Sequence, residues 1–197
     1  MNILKKIYMK VFNKICYISE TYKIEDYYEK LGVNKEKIYI GRNNEMLFLN
    51  NIYIDDYCCI GNRNRIYAQA PVHIKSGTFI SDNVEIRTAN HHYDGDDLKM
   101  LPFDEIAYCK PVIIEENCWI GSSVIILPGV TIHEGAIIGA GAVISSDVPK
   151  FAVVVGNPSH IVKFRNKEKY YELKKENKIF MINYKTIKRQ NVIVDRK

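Results

Sequence analysis

The chain has 197 residues, 47% of them hydrophobic and 26% charged, which is enough for one domain with a real core and ordinary for a soluble protein. The net charge of +5 is uneven: residues Lys163 to Lys197 hold twelve Lys/Arg against four Asp/Glu, so the rest is slightly acidic. Five cysteines, an odd number with no C-x-x-C spacing and with Cys58 beside Cys59, argue against a disulfide framework or a zinc site and fit a reducing, cytoplasmic compartment.

The first predicted element is a helical segment over residues 1–30. Leu4, Ile7, Tyr8, Val11 and Ile15 recur at helical spacing, with Lys5, Lys6, Lys10 and Lys14 between them. It lacks a long apolar run and a small-residue cleavage site, so it is neither a secretory signal nor a transmembrane span. Such a basic amphipathic helix either rests on a membrane, here the inner face, or covers an open end of the domain, or meets a neighbouring subunit.

Residues 31–165 carry an internal repeat. Isoleucines stand at 54, 60 and 66, then at 74, 80 and 86, and again at 114, 120, 126, 132, 138 and 144. Val124, Val130, Ala136, Ala142 and Val148 form a second series four residues behind the later one. A period of six fits neither an α-helix nor a plain strand alternation. It fits a few extended residues, a tight turn and a restart, with one aliphatic inward per face and glycines such as Gly61, Gly121, Gly139 and Gly141 at corners or close approaches. Stacked coils of that kind make a parallel β-solenoid.

Two defects break the register, one between Ile66 and Ile74 and one between Ile86 and Ile114. The second contains "RTANHHYDGDD" from Arg87, so a loop at 88–111 is expected to leave a corner of the solenoid. The tail, 166–197, is basic. A helix is expected at Lys167–Glu176 and a strand at Lys178–Tyr184, and the basic surface is suited to phosphates, an acidic glycan or a membrane. Tyr170, Tyr171, Phe180 and Tyr184 lie among its cations, and folded packing on the solenoid explains them better than nucleic acid.

The blocks "IGSSVI", "ILPGVT", "IHEGAI" and "IGAGAV" resemble the hexapeptide-repeat acyltransferases, whose fold is a left-handed parallel β-helix. The run "IGSSVIILPGVTIHEGAIIGAGAVISSDVPKFAVVVGNP" after "NCW" is similar to the galactoside, maltose and streptogramin (xenobiotic) O-acetyltransferases, and the last of these also carry a loop like "ANHHYDGD". The resemblance covers about Ile54–Arg165. It implies an acetyl-CoA-dependent enzyme, a homotrimer with active sites between subunits, and His91 as general base. It also places Trp119 beside the acyl end of acetyl-CoA, Ser122, Ala140 and Ser145 along the pantetheine arm, and Lys163 near the nucleotide phosphates. A family arginine falls at His160, and the sugar enzymes' acceptor-binding asparagine and aspartate have no clear counterpart, which leaves the acceptor open.

The residues themselves suit that chemistry. An attacking hydroxyl must lose a proton, and imidazole, with its ordinary pKa of about 6.5, takes it at neutral pH. Small residues in "GAGA" let backbone N–H groups approach a ligand closely. His91 is the first candidate base and His92 the second; His73, His133 and His160 follow as a neighbouring-site, a surface and a nucleotide-end residue. Asn90, His92 and Asp94 are the candidate acceptor contacts, although a turn at Gly95 also accounts for Asp94, Asp96 and Asp97. Trp119 precedes an inward isoleucine and should point outward, toward a ligand or a subunit. Cys109 and Cys118 raise a covalent acyl-enzyme, but no activating base or cation accompanies them. No P-loop and no cluster with metal-ligand spacing occurs, so no metal is expected.

The expected protein is therefore a trimeric O-acetyltransferase acting on a sugar or a surface or capsular polysaccharide. An N-acetyltransferase of an amino sugar nucleotide, a xenobiotic O-acetyltransferase and a non-catalytic solenoid are the other readings.

Overall fold

The computed structural model describes residues 3–183. Helix α1 (Ile3–Leu31) leads into a parallel β-solenoid, and two short helices, α2 (Lys167–Lys175) and α3 (Phe180–Asn183), follow it.

The solenoid has three faces. The first stacks Tyr39–Ile40, Cys59–Ile60, Phe79–Ile80, Trp119–Ile120, Ile137–Ile138 and Ala152–Val155 in parallel, and is closed by the antiparallel strand His160–Phe164. The second stacks Glu45–Leu47, Arg65–Tyr67, Glu85–Arg87, Ile125–Ile126 and Val143–Ile144. The third stacks Ile52–Ile54, Val72–Ile74, Val112–Ile114 and Thr131–Ile132. The six-residue spacing becomes one face and one corner, so the strands up to Val143–Ile144 are only two or three residues long, and only Ala152–Val155 and His160–Phe164 beyond it are longer.

The isoleucines form three inward columns. On the first face Ile60 stands under Ile80, Ile80 under Ile120 and Ile120 under Ile138, each at most 1% exposed. Each such burial contributes about 1.5–3 kcal/mol against the cost of ordering the chain. The corners bond coil to coil, as when the Gly61 amide donates to the Ile80 carbonyl at 2.8 Å. Gly121 sits at such a corner, where a Cβ would lie 2.7 Å from the Ala140 nitrogen and 2.8 Å from the Ile138 oxygen. The solenoid begins before Ile54, with Ile40 and Met46 filling the core positions of an earlier coil.

The register defects have one cause. At the corner between the second and third faces the lower coils are two residues longer. Asn51 there donates from Nδ2 to the Ala68 and Gln69 carbonyls, and the Ala70 amide donates to the Thr88 hydroxyl, which donates in turn to the Tyr67 carbonyl. The loop leaves from this same wide corner, immediately after the buried Thr88. It is an ordered arm: Ala89–His91 pairs antiparallel with Ala107–Cys109.

Helix α1 docks through its C-terminal part. The Tyr27 hydroxyl donates to the Asn44 carbonyl and accepts from the Met46 amide, while the Tyr28 hydroxyl donates to the Ile38 carbonyl and accepts from the Ile40 amide. No helix among the described residues is long and apolar enough to cross a membrane.

The tail covers its own solenoid. Asn166 caps α2 by accepting from the Lys169 amide, and the buried Tyr170 lies against Phe151. Lys174 reaches both Glu116 and Glu134, and the Tyr170 hydroxyl donates to Glu134 at 3.2 Å. The strand expected at Lys178–Tyr184 is replaced over Phe180–Asn183 by α3, while Tyr184 lies outside the described residues. Phe180 instead sets its ring edge-on against Phe79 of the first face, at a centroid distance of 6.0 Å.

Candidate active site

The candidate residues fall into two groups. The first is on the arm. His91 ends the outgoing strand, exposed, with its ring stacked on Phe103 at a centroid distance of 3.9 Å and an interplanar angle of 20°. Asn90 accepts from the His91 amide through Oδ1. His92 turns the other way. It is 3% exposed, with Nδ1 2.9 Å from Asp104 Oδ2, Nε2 3.3 Å from Asp97 Oδ1 and the Tyr108 ring against its edge. Burial alone would push the His92 pKa down. The bond to Asp104 and the charges of Asp104 and Asp97 outweigh it, so the pKa lies above the usual histidine value. Asp94 is exposed and accepts from the Gly95 amide, as a turn residue does.

Asp104 was not singled out in the sequence, and it is the residue that holds the arm. Its side chain is fully buried, and it accepts from the Ile106 amide as well as meeting His92. Burial would raise its pKa; the Ile106 N–H and His92 reverse this and lower it. The hint was weak: a lone Asp twelve residues from His92 has no motif spacing.

The second group lies along the first face and its corner with the second. Trp119 points outward as expected, 52% exposed, with Nε1 donating to the Ser81 hydroxyl at 3.3 Å. Ile137, Val153 and Lys163 continue its row one strand at a time. Ser122 and Ala140 are exposed at the adjoining corner. In the lower coils the equivalent corner amides are capped by side chains of the next coil, Arg42 by Asn62 and Asn62 by Asp82. Ser122 and Ala140 are too small to do this. In "GAGA" the amides of Gly139, Gly141 and Ala142 donate to carbonyls of the solenoid, whereas the Ala140 N–H takes no part in those backbone bonds among the described residues. Ser145 stands apart, on the far side of the second face, at the corner from which the arm leaves.

The two groups are on opposite sides of the prism. The chain passes from first face to second to third, and the arm leaves between the second and third. The first face with Trp119 is therefore opposite the arm's root. A cavity of about 470 Å³ lies beside Trp119, walled by Phe79, Ile137, Leu173 and Phe180, and no arm residue lines it.

The other candidates are accounted for locally. His73 stacks on Tyr53, His133 meets Glu115 and His160 lies in the closing hairpin. Cys118 is buried, and burial pushes its thiol up to about 12, which removes the nucleophilic thiolate. Cys109 is exposed on the arm.

The chain is thus a parallel β-helix of six-residue steps with a histidine-bearing arm leaving one corner. Residues 111–146 match the family model of the bacterial transferase hexapeptide (six repeats). The chain is 32% identical over 158 residues to "Putative acetyltransferase YJL218W" of Saccharomyces cerevisiae, covering 80% of this chain and 79% of that one. It is 32% identical to the galactoside O-acetyltransferase of Escherichia coli over 70% of its own length and 59% of the relative's. Among solved structures, a maltose O-acetyltransferase from Clostridium difficile superposes with a TM-score of 0.61 at 32% identity, covering 66% of this chain and 68% of the other. A Vibrio cholerae hexapeptide-repeat acetyltransferase complexed with acetyl coenzyme A superposes with a TM-score of 0.56 at 27% identity, covering 66% and 69%. The protein belongs to the hexapeptide-repeat acetyltransferases.

Proposed function

We propose that this protein transfers acetyl from acetyl-CoA to a hydroxyl of a sugar or of a surface or capsular polysaccharide. The site lies between subunits of a homotrimer, with His91 as general base. The observation that carries the reading is the separation of the two groups: the arm histidine is exposed on one side of the prism and the Trp119 row on the other. One subunit holds two half-sites, and a neighbour completes each. The exposed apolar side chains Ile161, Val162 and Phe164 on the closing strand support such a neighbour. The galactoside and maltose enzymes among the relatives support a sugar hydroxyl as acceptor.

In this reading Trp119 and the corner at Ser122 and Ala140 seat the thin amide-bearing arm of the donor, with the Ala140 N–H as a donor to it and Lys163 toward the phosphates. The acceptor hydroxyl gives its proton to His91 as its oxygen bonds to the acetyl carbon. The carbon–sulfur bond breaks and the imidazolium returns the proton to the leaving thiolate. General-base help of this kind is worth about 10²–10⁴-fold. Phe103 fixes the ring plane of His91, and the His92–Asp104 bond fixes the strand that presents it.

The test is product analysis by mass spectrometry with acetyl-CoA and a panel of sugars, oligosaccharides, amino sugar nucleotides and antibiotics, for wild type and His91→Ala. An O-acetyl sugar that disappears in His91→Ala is the expected result. An N-acetyl product, or a His91→Ala variant as fast as wild type, overturns the acceptor or the base respectively. Co-expressing His91→Ala with Ala140→Trp subunits, each inactive alone, should recover activity, and a silent mixture overturns the shared site.

A further inference from the structure

We infer that the N-terminal half of α1 packs against the same helix of neighbouring copies as a short parallel three-stranded coiled coil. The inference rests on the trimer proposed above.

The helix has two apolar sides. At 100° per residue, Tyr17, Glu20, Ile24, Tyr27, Tyr28 and Leu31 share the side that meets the solenoid. The guanidinium of Arg42 lies 4.3 Å from the Tyr17 ring, Glu20 accepts from the Asn43 amide, and Tyr27 and Tyr28 bond the first coil. Tyr8, Val11, Ile15, Ile18 and Tyr22 fall on nearly the opposite side. Docking the first side aims the second away from the chain's own solenoid.

That second side follows a strict seam. The spacing 8, 11, 15, 18, 22 alternates three and four, and Leu4 continues it in sequence. A mean step of 3.5 residues is the coiled-coil period. Tyr8, Ile15 and Tyr22 take the a positions and Leu4, Val11 and Ile18 the d positions. At the centre of the seam Ile15 at a stands between Val11 and Ile18 at d, and β-branched residues at both positions shift preference from two strands to three or four; the proposed trimer selects three. In a parallel, in-register coil each g residue faces the e residue five further on. Ile7 then meets Phe12, and Lys14 meets Ser19, so no two lysines are opposed. Lys6 and Lys10 stay in water on the outside.

The seam is exposed in the single chain: Tyr8 is 64% exposed, Val11 53%, Ile15 60%, Ile18 43% and Tyr22 73%. Every described side chain from Leu4 to Ser19 is exposed. Such a stretch gains little from propensity alone in water and takes its stability from packing.

The test is disulfide crosslinking of the full chain. Ile15→Cys, at an a position, and Asn13→Cys, on the outside, are each placed in a Cys16→Ser, Cys109→Ser background. Under mild oxidation without lipid, Ile15→Cys should crosslink between subunits at least 10-fold faster than Asn13→Cys. Equal rates, or no crosslink, overturn the proposal. Sedimentation equilibrium separates the two readings: a trimer without the Ile15 crosslink removes the coil and leaves the trimer, and a monomer removes both. Pelleting with phosphatidylglycerol vesicles, without the crosslink, assigns the helix to a membrane instead and also overturns the coil. Val11→Asp with Ile18→Asp changes residues exposed in the single chain; loss of the Ile15 crosslink with an unchanged solenoid melting transition is expected.

Discussion

The imidazole of His92 meets the carboxylate of Asp104 at 2.9 Å inside the arm. The bond ties the outgoing strand to the return, reinforced by the His92 amide donating to the Ile106 carbonyl and the Asp104 amide donating to the His92 carbonyl. Of two adjacent histidines, one is thus spent on fixing the arm and the other is left exposed beside Phe103.

Asp104→Asn keeps the volume and removes the charge that orients His92. Because a misplacement of about 1 Å can cost up to 10²-fold, kcat should fall about 10-fold. Acetyl-CoA affinity, read by calorimetry, should stay unchanged, since Asp104 is buried inside the arm, where it holds the strand that presents His91 and offers nothing to the donor. A loss of affinity equal to the loss of kcat would contradict this placement.

The same pair sets a pH window. Asp104 has a lowered pKa, so its contribution is present above the ordinary carboxylate range and is lost as pH falls through its depressed value. His92 has a raised pKa, so its contribution is full below the ordinary histidine value and fades as pH rises through its elevated one. The arm should be firmest in the mildly acidic range between these limits. Hydrogen exchange of the Ile106 amide, which donates to Asp104, should be slowest there after correction for intrinsic rates.

Phe103→Ala removes the ring that stacks on His91. The base remains, so the rate should fall by less than the general-base factor of about 10²–10⁴ expected for His91→Ala. Phe103→Tyr should restore most of it. Steady-state kcat for the three variants is the measurement.

Gly121→Ala places a Cβ against the Ala140 backbone, which cannot move without parting two coils. Overpacking of this kind costs about 1–3 kcal/mol. A lowered thermal midpoint and weakened acetyl-CoA binding should appear together, because Ala140 is at the same corner.

Lys174→Met unlatches the tail from Glu116 and Glu134. Lys174 is about one-third exposed and water screens the pair, so the loss should be about 1 kcal/mol and smaller at high salt. Denaturant midpoints in low and high salt test both parts.

The extent of legibility follows from the range of the interactions. Ile60, Ile120 and Ile138 announce their columns because every coil repeats the same demand at a fixed interval, and the outward Trp119 follows from its inward neighbour. The arm was visible as a break in that interval, and His91 through resemblance to a known loop. Asp104 was not visible, because a buried carboxylate twelve residues from its histidine obeys no local period. The tail strand is a related case: Phe180–Asn183 has the residues for a strand, but it forms a short helix whose Phe180 packs on Phe79, a contact from the first face that no local pattern announces.

What the sequence by itself determined is the solenoid, its faces and the place where the chain leaves it, since a repeat buries its side chains against copies of itself. Only the tertiary structure decided which histidine is held and which is offered, and that the arm and the Trp119 row stand on opposite sides of one subunit. Those are relations between residues on different faces, fixed by how the coils close around the core rather than by any neighbour in the chain.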